Sequence, residues 1–265
     1  MDLQSICFQT IDIVKSVGEY IRQSGLHLQQ SQIETKGTND FVTEIDKGSE
    51  AQLVSRIQPL IPHAGFITEE ETKTTKGKEY NWIIDPIDGT TNFIHGVPPH
   101  AISVALMQHN TIVLGVVYEI MMDECFYTWQ GAPAYCNGKK IHVSQTESVS
   151  KSLIGTGFPY NDYSLIDEYG IAMNYFMKHS HGLRRLGSAA TDLAYVACGR
   201  YDAFFEYSLK AWDIAAGIIL IQQAGGSVSD FKGGSNYLFS GELIASNGIV
   251  QHEMISILQP ILHKK

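Results

Sequence analysis

Residues 82–92 read WIIDPIDGTTN, an apolar run that closes on two carboxylates three residues apart. Residues 80–84 are β-prone and predict a buried strand that delivers Asp85, and a turn through Pro86 then brings Asp88 and Gly89. Two buried like charges that close are costly unless a cation lies between them. The small residues behind them have free backbone amides, so the pattern suits metal and phosphate together. The chemistry indicated is metal-dependent hydrolysis of a phosphate ester.

Hydrolysis of phosphate monoesters demands rate gains approaching ~10²¹. Two metal ions about 3.5–4 Å apart can bind the phosphate, acidify a water and stabilise the leaving alkoxide. Magnesium takes hard oxygen ligands, and the carboxylates available are Glu69, Glu70, Asp85, Asp88, Asp46 and Asp213. Most have an ordinary alternative. Asp46 could cap a helix, Asp213 could complement a helix dipole, and residues 69–71 could form a solvated acidic face. For these the residues alone leave both readings open. The proline-bent acidic turn at 85–88 has little structural purpose, and there the chemical reading prevails.

Several elements must position these groups. Apolar spacing predicts a helix from residue 3 to about residue 30, with a polar surface loop at 31–39. A second helix should run over 43–58, with Thr43 and Asp46 as a capping box and Pro59 as its stop. Strands follow at 64–68 and 80–84, then at 102–107, 112–118 and 124–129. Asn137-Gly138 signals a tight hairpin, so the first half carries a largely antiparallel sheet. The second half alternates: strands at 153–157, 201–207 and 243–246, helices at 166–178, 187–198, 213–224 and 250–262. That alternation implies a layered α/β unit. A polar stretch at 144–152 suggests two parts, residues 1–147 with most metal ligands and residues 148–265 completing the site.

The chain has 265 residues, a net charge of −9, 44% hydrophobic and 18% charged residues. That charge argues against a nucleic-acid or anionic-membrane partner and would repel a phosphate unless cations were bound. Four cysteines without CxxC spacing read as reduced thiols of a cytoplasmic protein. The first residues carry no secretion signal, and no apolar run has the length of a membrane span. A haloacid-dehalogenase reading of Asp85–Asp88 fails on spacing, since that chemistry needs its two aspartates two residues apart.

From about Gly37 to Ile249 the chain resembles the inositol monophosphatase family, within the lithium-sensitive, magnesium-dependent phosphatases. The resemblance rests on Asn39-Asp40-Phe-Val-Thr43-Glu-Ile-Asp46, Thr68-Glu69-Glu70, Asp85-Pro-Ile-Asp88-Gly-Thr-Thr-Asn92, Gly187-Ser-Ala189 and Trp212-Asp-Ile-Ala-Ala-Gly217. It implies a layered α-β-α-β-α sandwich, commonly a homodimer, that hydrolyses inositol monophosphate with two or three Mg²⁺ ions. It further implies that Glu69, Asp85 and the Ile87 carbonyl hold one ion, and Asp85, Asp88 and Asp213 a second. Glu69 with waters would hold a weaker third, and Glu70 would reach a metal through water. Asp46 and Thr90, with Glu69, would activate the attacking water. Amides of Gly89 and Thr90 would receive the phosphate, while Asp88, Gly187, Ser188, Ala189, Glu206 and Asp213 would face the substrate. Related enzymes with the same chemistry act on fructose bisphosphate, phosphoadenosine phosphate or NADP(H). The departures are Lys210, where animal enzymes typically carry histidine, and residues 158–185, which follow no family pattern. Within that stretch Arg184 and Arg185, with Tyr160 and Tyr163, are candidates for a second phosphate or an adenine ring.

Overall fold

Ile6, Val14, Val17 and Ile21 recur at helical spacing and are buried, and helix α1 (Leu3–Gly25) forms around that stripe. The structure is a computed structural model, and it describes residues 1–26, 28, 33–37, 40–160 and 162–263. Helix α1 thus stops at Gly25, short of the expected end, and Gln30 lies outside the described residues. The expected loop at 31–39 is corrected by a hairpin: β1 (Ile33–Gly37) pairs antiparallel with β2 (Asp40–Thr43). Polar side chains do not forbid a strand, because the ladder is made of backbone groups. Ser31, Gln32, Thr38 and Asn39 of that expectation lie outside the described residues.

Thr43 ends the hairpin and opens α2 (Glu44–Ile57). Its hydroxyl accepts from the Asp46 amide, and Asp46 accepts from the Thr43 amide at 2.8 Å, a capping box with aspartate in the usual glutamate position. Next come β3 (Gly65–Thr68) and β4 (Tyr80–Asp88), the single-turn helix α3 (Thr90–Ile94), then β5 (Ala101–Gln108), β6 (Thr111–Glu119) and β7 (Glu124–Trp129). Strands β8 (Tyr135–Cys136) and β9 (Lys139–Lys140) complete the sheet. All seven lie side by side in chain order, β3 parallel to β4 and the rest antiparallel. Asn137 and Gly138 both have positive φ, 46° and 79°, as a two-residue hairpin turn of the primed type requires.

The second half contributes β10 (Leu153–Thr156), α4 (Ile166–His179), β11 (Gly182–Arg184), α5 (Ala189–Ala197), β12 (Ala203–Tyr207) and α6 (Ala211–Gln223). After these come β13 (Ser227–Ser229), α7 (Tyr237–Ser240), β14 (Glu242–Ser246) and α8 (Gln251–Leu262). Their sheet runs β11-β10-β12-β14-β13. Strands β10, β11 and β12 are parallel, and β14 is antiparallel to both of its neighbours. The short β11, β13 and α7 carry too few periodic residues to be read from sequence.

Five layers result. Helices α1 and α2 cover one face of the first sheet, α5 and α6 lie between the sheets, and α4 and α8 cover the far face of the second. Both sheets are therefore buried on two sides, which explains strands apolar at nearly every position. Gly115 lets α6 lie directly on β6. A Cβ there would sit 2.6 Å from Ile219 and 2.8 Å from the Ala216 carbonyl. No helix among the described residues is long and apolar enough to cross a membrane.

Candidate active site

Register brings the first acidic pair together. Thr68 pairs with Ile84 in the parallel β3–β4 ladder, so the next residues, Glu69 and Asp85, emerge side by side. The β4–β5 register then shifts between Asp85 and Asp88, as the proline-bent turn requires. Asp85 accepts from the Ile87 amide at 3.0 Å. Asp88 accepts from the Ser188 hydroxyl at 2.6 Å and the Ala190 amide at 2.7 Å, at the start of α5. Asp213 accepts from the Lys210 amide at 2.7 Å, capping α6. It lies at the third position of that helix and not at the first, as the sequence suggested. The Ser103 hydroxyl donates to the Trp212 carbonyl at 2.9 Å, tying the start of α6 to β5. Carboxylate oxygens of Asp85, Asp88 and Asp213 consequently lie within 4.8 Å of one another.

Such crowding is visible in their proton affinities. Burial raises Asp85 well above the ordinary carboxylate range, and the charges of Glu69, Asp88 and Asp213 raise it further. Burial brings Asp88 up to about 6 against the opposing bonds from Ser188 and the start of α5. Asp213 is pushed up to about 7 by burial and then by Asp88. A compact set of hard oxygen donors, whose crowding a divalent cation would relieve, fits Mg²⁺.

Asp46 is the helix cap of its ordinary reading, and it also reaches toward the cleft. It caps α2, and its other oxygen lies 3.1 Å from the Thr90 hydroxyl, which also lies 2.9 Å from the Ile87 carbonyl. One hydroxyl hydrogen can serve only one of these acceptors at a time. Thr90 lines the cleft, and Asp46 sits fully buried behind it.

Glu69, Asp85, Ile87, Asp88, Gly89, Thr90, Gly187, Ser188, Ala189, Glu206 and Asp213 all border one cleft, whereas Asp46 and Glu70 do not. Gly187 has a φ of 93°, and a Cβ there would sit 2.8 Å from Arg185 and 3.0 Å from Asn92. The Ser188 hydroxyl is bound to Asp88 at 2.6 Å and lies 2.8 Å from the Thr191 hydroxyl. At the far wall Glu206 lies against the bare backbone of Gly157, where a Cβ would come within 2.0 Å of the carboxylate. Burial holds both Glu206 and Asp192 well above the usual carboxylate range. Arg185 rests over the rings of Phe158 and Tyr160 at 5.0 and 5.7 Å and donates to the Tyr160 hydroxyl. Of the four residues proposed for a second phosphate, Arg185 and Tyr160 border the cleft. Arg184 bonds the Leu183 carbonyl at the surface, and it and Tyr163 lie outside the cleft. Asp192 and the buried Glu50 escaped the sequence reading. The available signal was spacing, since each lies one helical turn beyond a residue of the site, Ser188 and Asp46.

With this geometry established, the sequence profile of the inositol monophosphatase family matches residues 2–263. An inositol-1-monophosphatase of Mesorhizobium japonicum is 39% identical, over 88% of this chain and 88% of its own. A protein called Nus factor SuhB from Pseudomonas aeruginosa is also 39% identical, over 94% and 93%. The solved Thermotoga maritima IMPase superposes with a TM-score of 0.87 at 35% identity, covering 96% of each chain.

Proposed function

The chain belongs to the inositol monophosphatase family, and on that premise we propose that it hydrolyses inositol monophosphate to inositol and phosphate. The observation that carries this reading is the convergence of Asp85, Asp88 and Asp213 from three separate elements onto one point. Glu69, Asp85, Asp88, Asp213 and the Ile87 carbonyl would hold two or three Mg²⁺ ions, with Glu70 reaching them through water. Mg²⁺ held there would supply charge neutralisation for the phosphate, acidification of a water and stabilisation of the leaving alkoxide.

The chain's own residues supply the remainder. Asp46 orients Thr90 from behind, the Thr90 hydroxyl and Glu69 position a water, and a carboxylate oxygen of Glu69 takes up its proton. Amides of Gly89 and Thr90 receive the phosphate oxygens. Glu206 meets substrate hydroxyls at the far wall, and burial, which favours the neutral forms of Glu206 and Asp192, keeps that wall from presenting full negative charge. Fructose bisphosphate, phosphoadenosine phosphate and NADP(H) are the alternatives on the same chemistry, and Arg185 offers them one cation at the cleft. The test is phosphate release from inositol monophosphate, NADP⁺ and fructose bisphosphate with Mg²⁺, then with lithium or EDTA. Release from the first that needs the divalent ion and is inhibited by lithium is expected. Undiminished release in EDTA contradicts the reading.

A second reading, prompted by relatives called Nus factor, would make this chain a non-catalytic metal-binding module that keeps the scaffold. The complete set Asp46, Glu69, Asp85, Asp88, Thr90 and Asp213 favours hydrolysis. We further propose a homodimer, which sedimentation tests, and a reducing cytoplasmic setting, which the free thiols of Cys7, Cys125, Cys136 and Cys198 support.

A further inference from the structure

Glu50 is fully buried on α2, four residues beyond Asp46, and no step proposed above uses it. One of its oxygens accepts from the Glu70 amide and the other from the Thr72 amide, both at 2.7 Å. Between those amides Glu71 adopts a left-handed φ of 55°, a conformation that non-glycine residues hold only when surroundings impose it. The turn points the Glu70 and Thr72 N–H groups at one carboxylate and makes an anion cradle. Glu50 fills that cradle from within the protein.

We propose that Glu50 is a positioning residue, which locks the Glu69–Thr72 turn and thereby places the Glu69 and Glu70 carboxylates for metal binding. Backbone amides tie this turn down. The Glu69 amide donates to the Ile84 carbonyl at 3.3 Å, and the two shorter bonds go to Glu50. Asp46 and Glu50 share one face of α2, separated by a single turn. The same helix therefore holds Thr90 through Asp46 and the acidic turn through Glu50, setting the spacing between them. Metal-ligand geometry tolerates errors of only about 0.5 Å, so a turn freed from Glu50 presents misplaced ligands.

The inference rests on the metal reading above, and the experiment separates the two. Mg²⁺ binding is measured by calorimetry for the wild type, Glu50→Gln, Glu50→Asp and Leu53→Ala, with urea midpoints for each. Leu53 is a buried residue of the same helix that belongs to the apolar core under the first sheet. Glu50→Gln keeps the shape but turns an N–H₂ toward one of the two amides. It should weaken Mg²⁺ binding ten- to a hundredfold, the usual effect of removing a partner that orients a ligand. At saturating Mg²⁺ it should leave KM for the phosphate ester within threefold of wild type. Glu50→Asp keeps the charge but withdraws it, should bind with an intermediate loss, and decides the matter if Glu50→Gln does not fold. Leu53→Ala should lower the urea midpoint yet bind Mg²⁺ like the wild type. Wild-type affinity in the Glu50 variants, or an equal loss in Leu53→Ala, overturns the inference. No Mg²⁺ binding by the wild type overturns instead the metal reading on which it rests.

Discussion

Asp213→Asn should stabilise the metal-free protein while destroying its response to magnesium. The replacement conserves volume, and its carbonyl can still accept from the Lys210 amide, so the α6 cap survives. What disappears is one of three carboxylates crowded within 4.8 Å. At an effective dielectric of 20, two full charges at that separation repel by about 3–4 kcal/mol. Asp213 titrates at about 7, so half ionisation at neutral pH reduces the relief to about 2 kcal/mol. Loss of a charge favourable to the helix dipole takes back about 0.3–1 kcal/mol. A net gain of about 1 kcal/mol at pH 7 remains, or roughly 2–4 °C in a chain of this size. The sign with pH is fixed. Because the folded pKa is raised above the unfolded value, the metal-free native state holds more protons than the unfolded one. Wild-type stability therefore falls as pH rises towards about 7, and the advantage of the variant should grow from pH 5 to pH 8. At a Mg²⁺ concentration a hundredfold above its dissociation constant the wild type gains about 2.7 kcal/mol. The order of stabilities then reverses. Thermal unfolding in EDTA and in Mg²⁺ reads both effects. A wild type that is the more stable in EDTA at pH 8, or equal Mg²⁺ stabilisation of both proteins, refutes the reasoning.

Further outcomes follow from the same geometry. Thr90→Val removes the hydroxyl between Asp46 and the Ile87 carbonyl and should lower kcat by roughly 10²–10⁴, with Mg²⁺ affinity within a few-fold; unchanged kcat excludes Thr90 from water activation. His100 is buried and its pKa is lowered to about 4, chiefly by burial. Its contribution is present above the unfolded value near 6.5 and is lost as pH falls towards 4. Between pH 7.5 and pH 5 the wild type should lose about 2 kcal/mol more than His100→Asn in urea titrations, and parallel pH slopes contradict the assignment. Gly157→Ala drives a methyl into the Glu206 carboxylate and should raise KM by roughly tenfold with a smaller change in kcat; a KM equal to wild type removes Glu206 from substrate recognition. Arg185→Ala should alter the ratio of rates on NADP⁺ and inositol monophosphate, whereas Arg184→Ala, outside the cleft, should not. Equal ratios for both would dismiss Arg185 as a determinant of specificity.

Much of the fold was legible because its signals are local. Thr43 with Asp46, Pro59, Asn137-Gly138 and Ser188 before α5 are caps and turns decided by neighbouring residues, and each marks an element where expected. The hairpin at β1 and β2 was missed because its polar residues give no periodic pattern, only backbone pairing. Strands β11 and β13 were missed for a related reason. They are three residues long and exist as additions to edges that other strands create.

The sequence by itself pointed to the family and named candidates for its chemistry. The acidic turn at 85–88 admits few purposes other than holding cations, and the carboxylates at 46, 69 and 213 could be named as its candidates. Only the tertiary structure decided which carboxylates meet. Asp213 reaches Asp85 because Gly115 lets α6 rest on β6, and Glu69 stands beside Asp85 through the β3–β4 register. It also decided that Arg185 faces the cleft while Arg184 does not, and that Glu50 grips a turn twenty residues away. Such pairings depend on distances between elements, which packing sets and which no local pattern of residue types encodes.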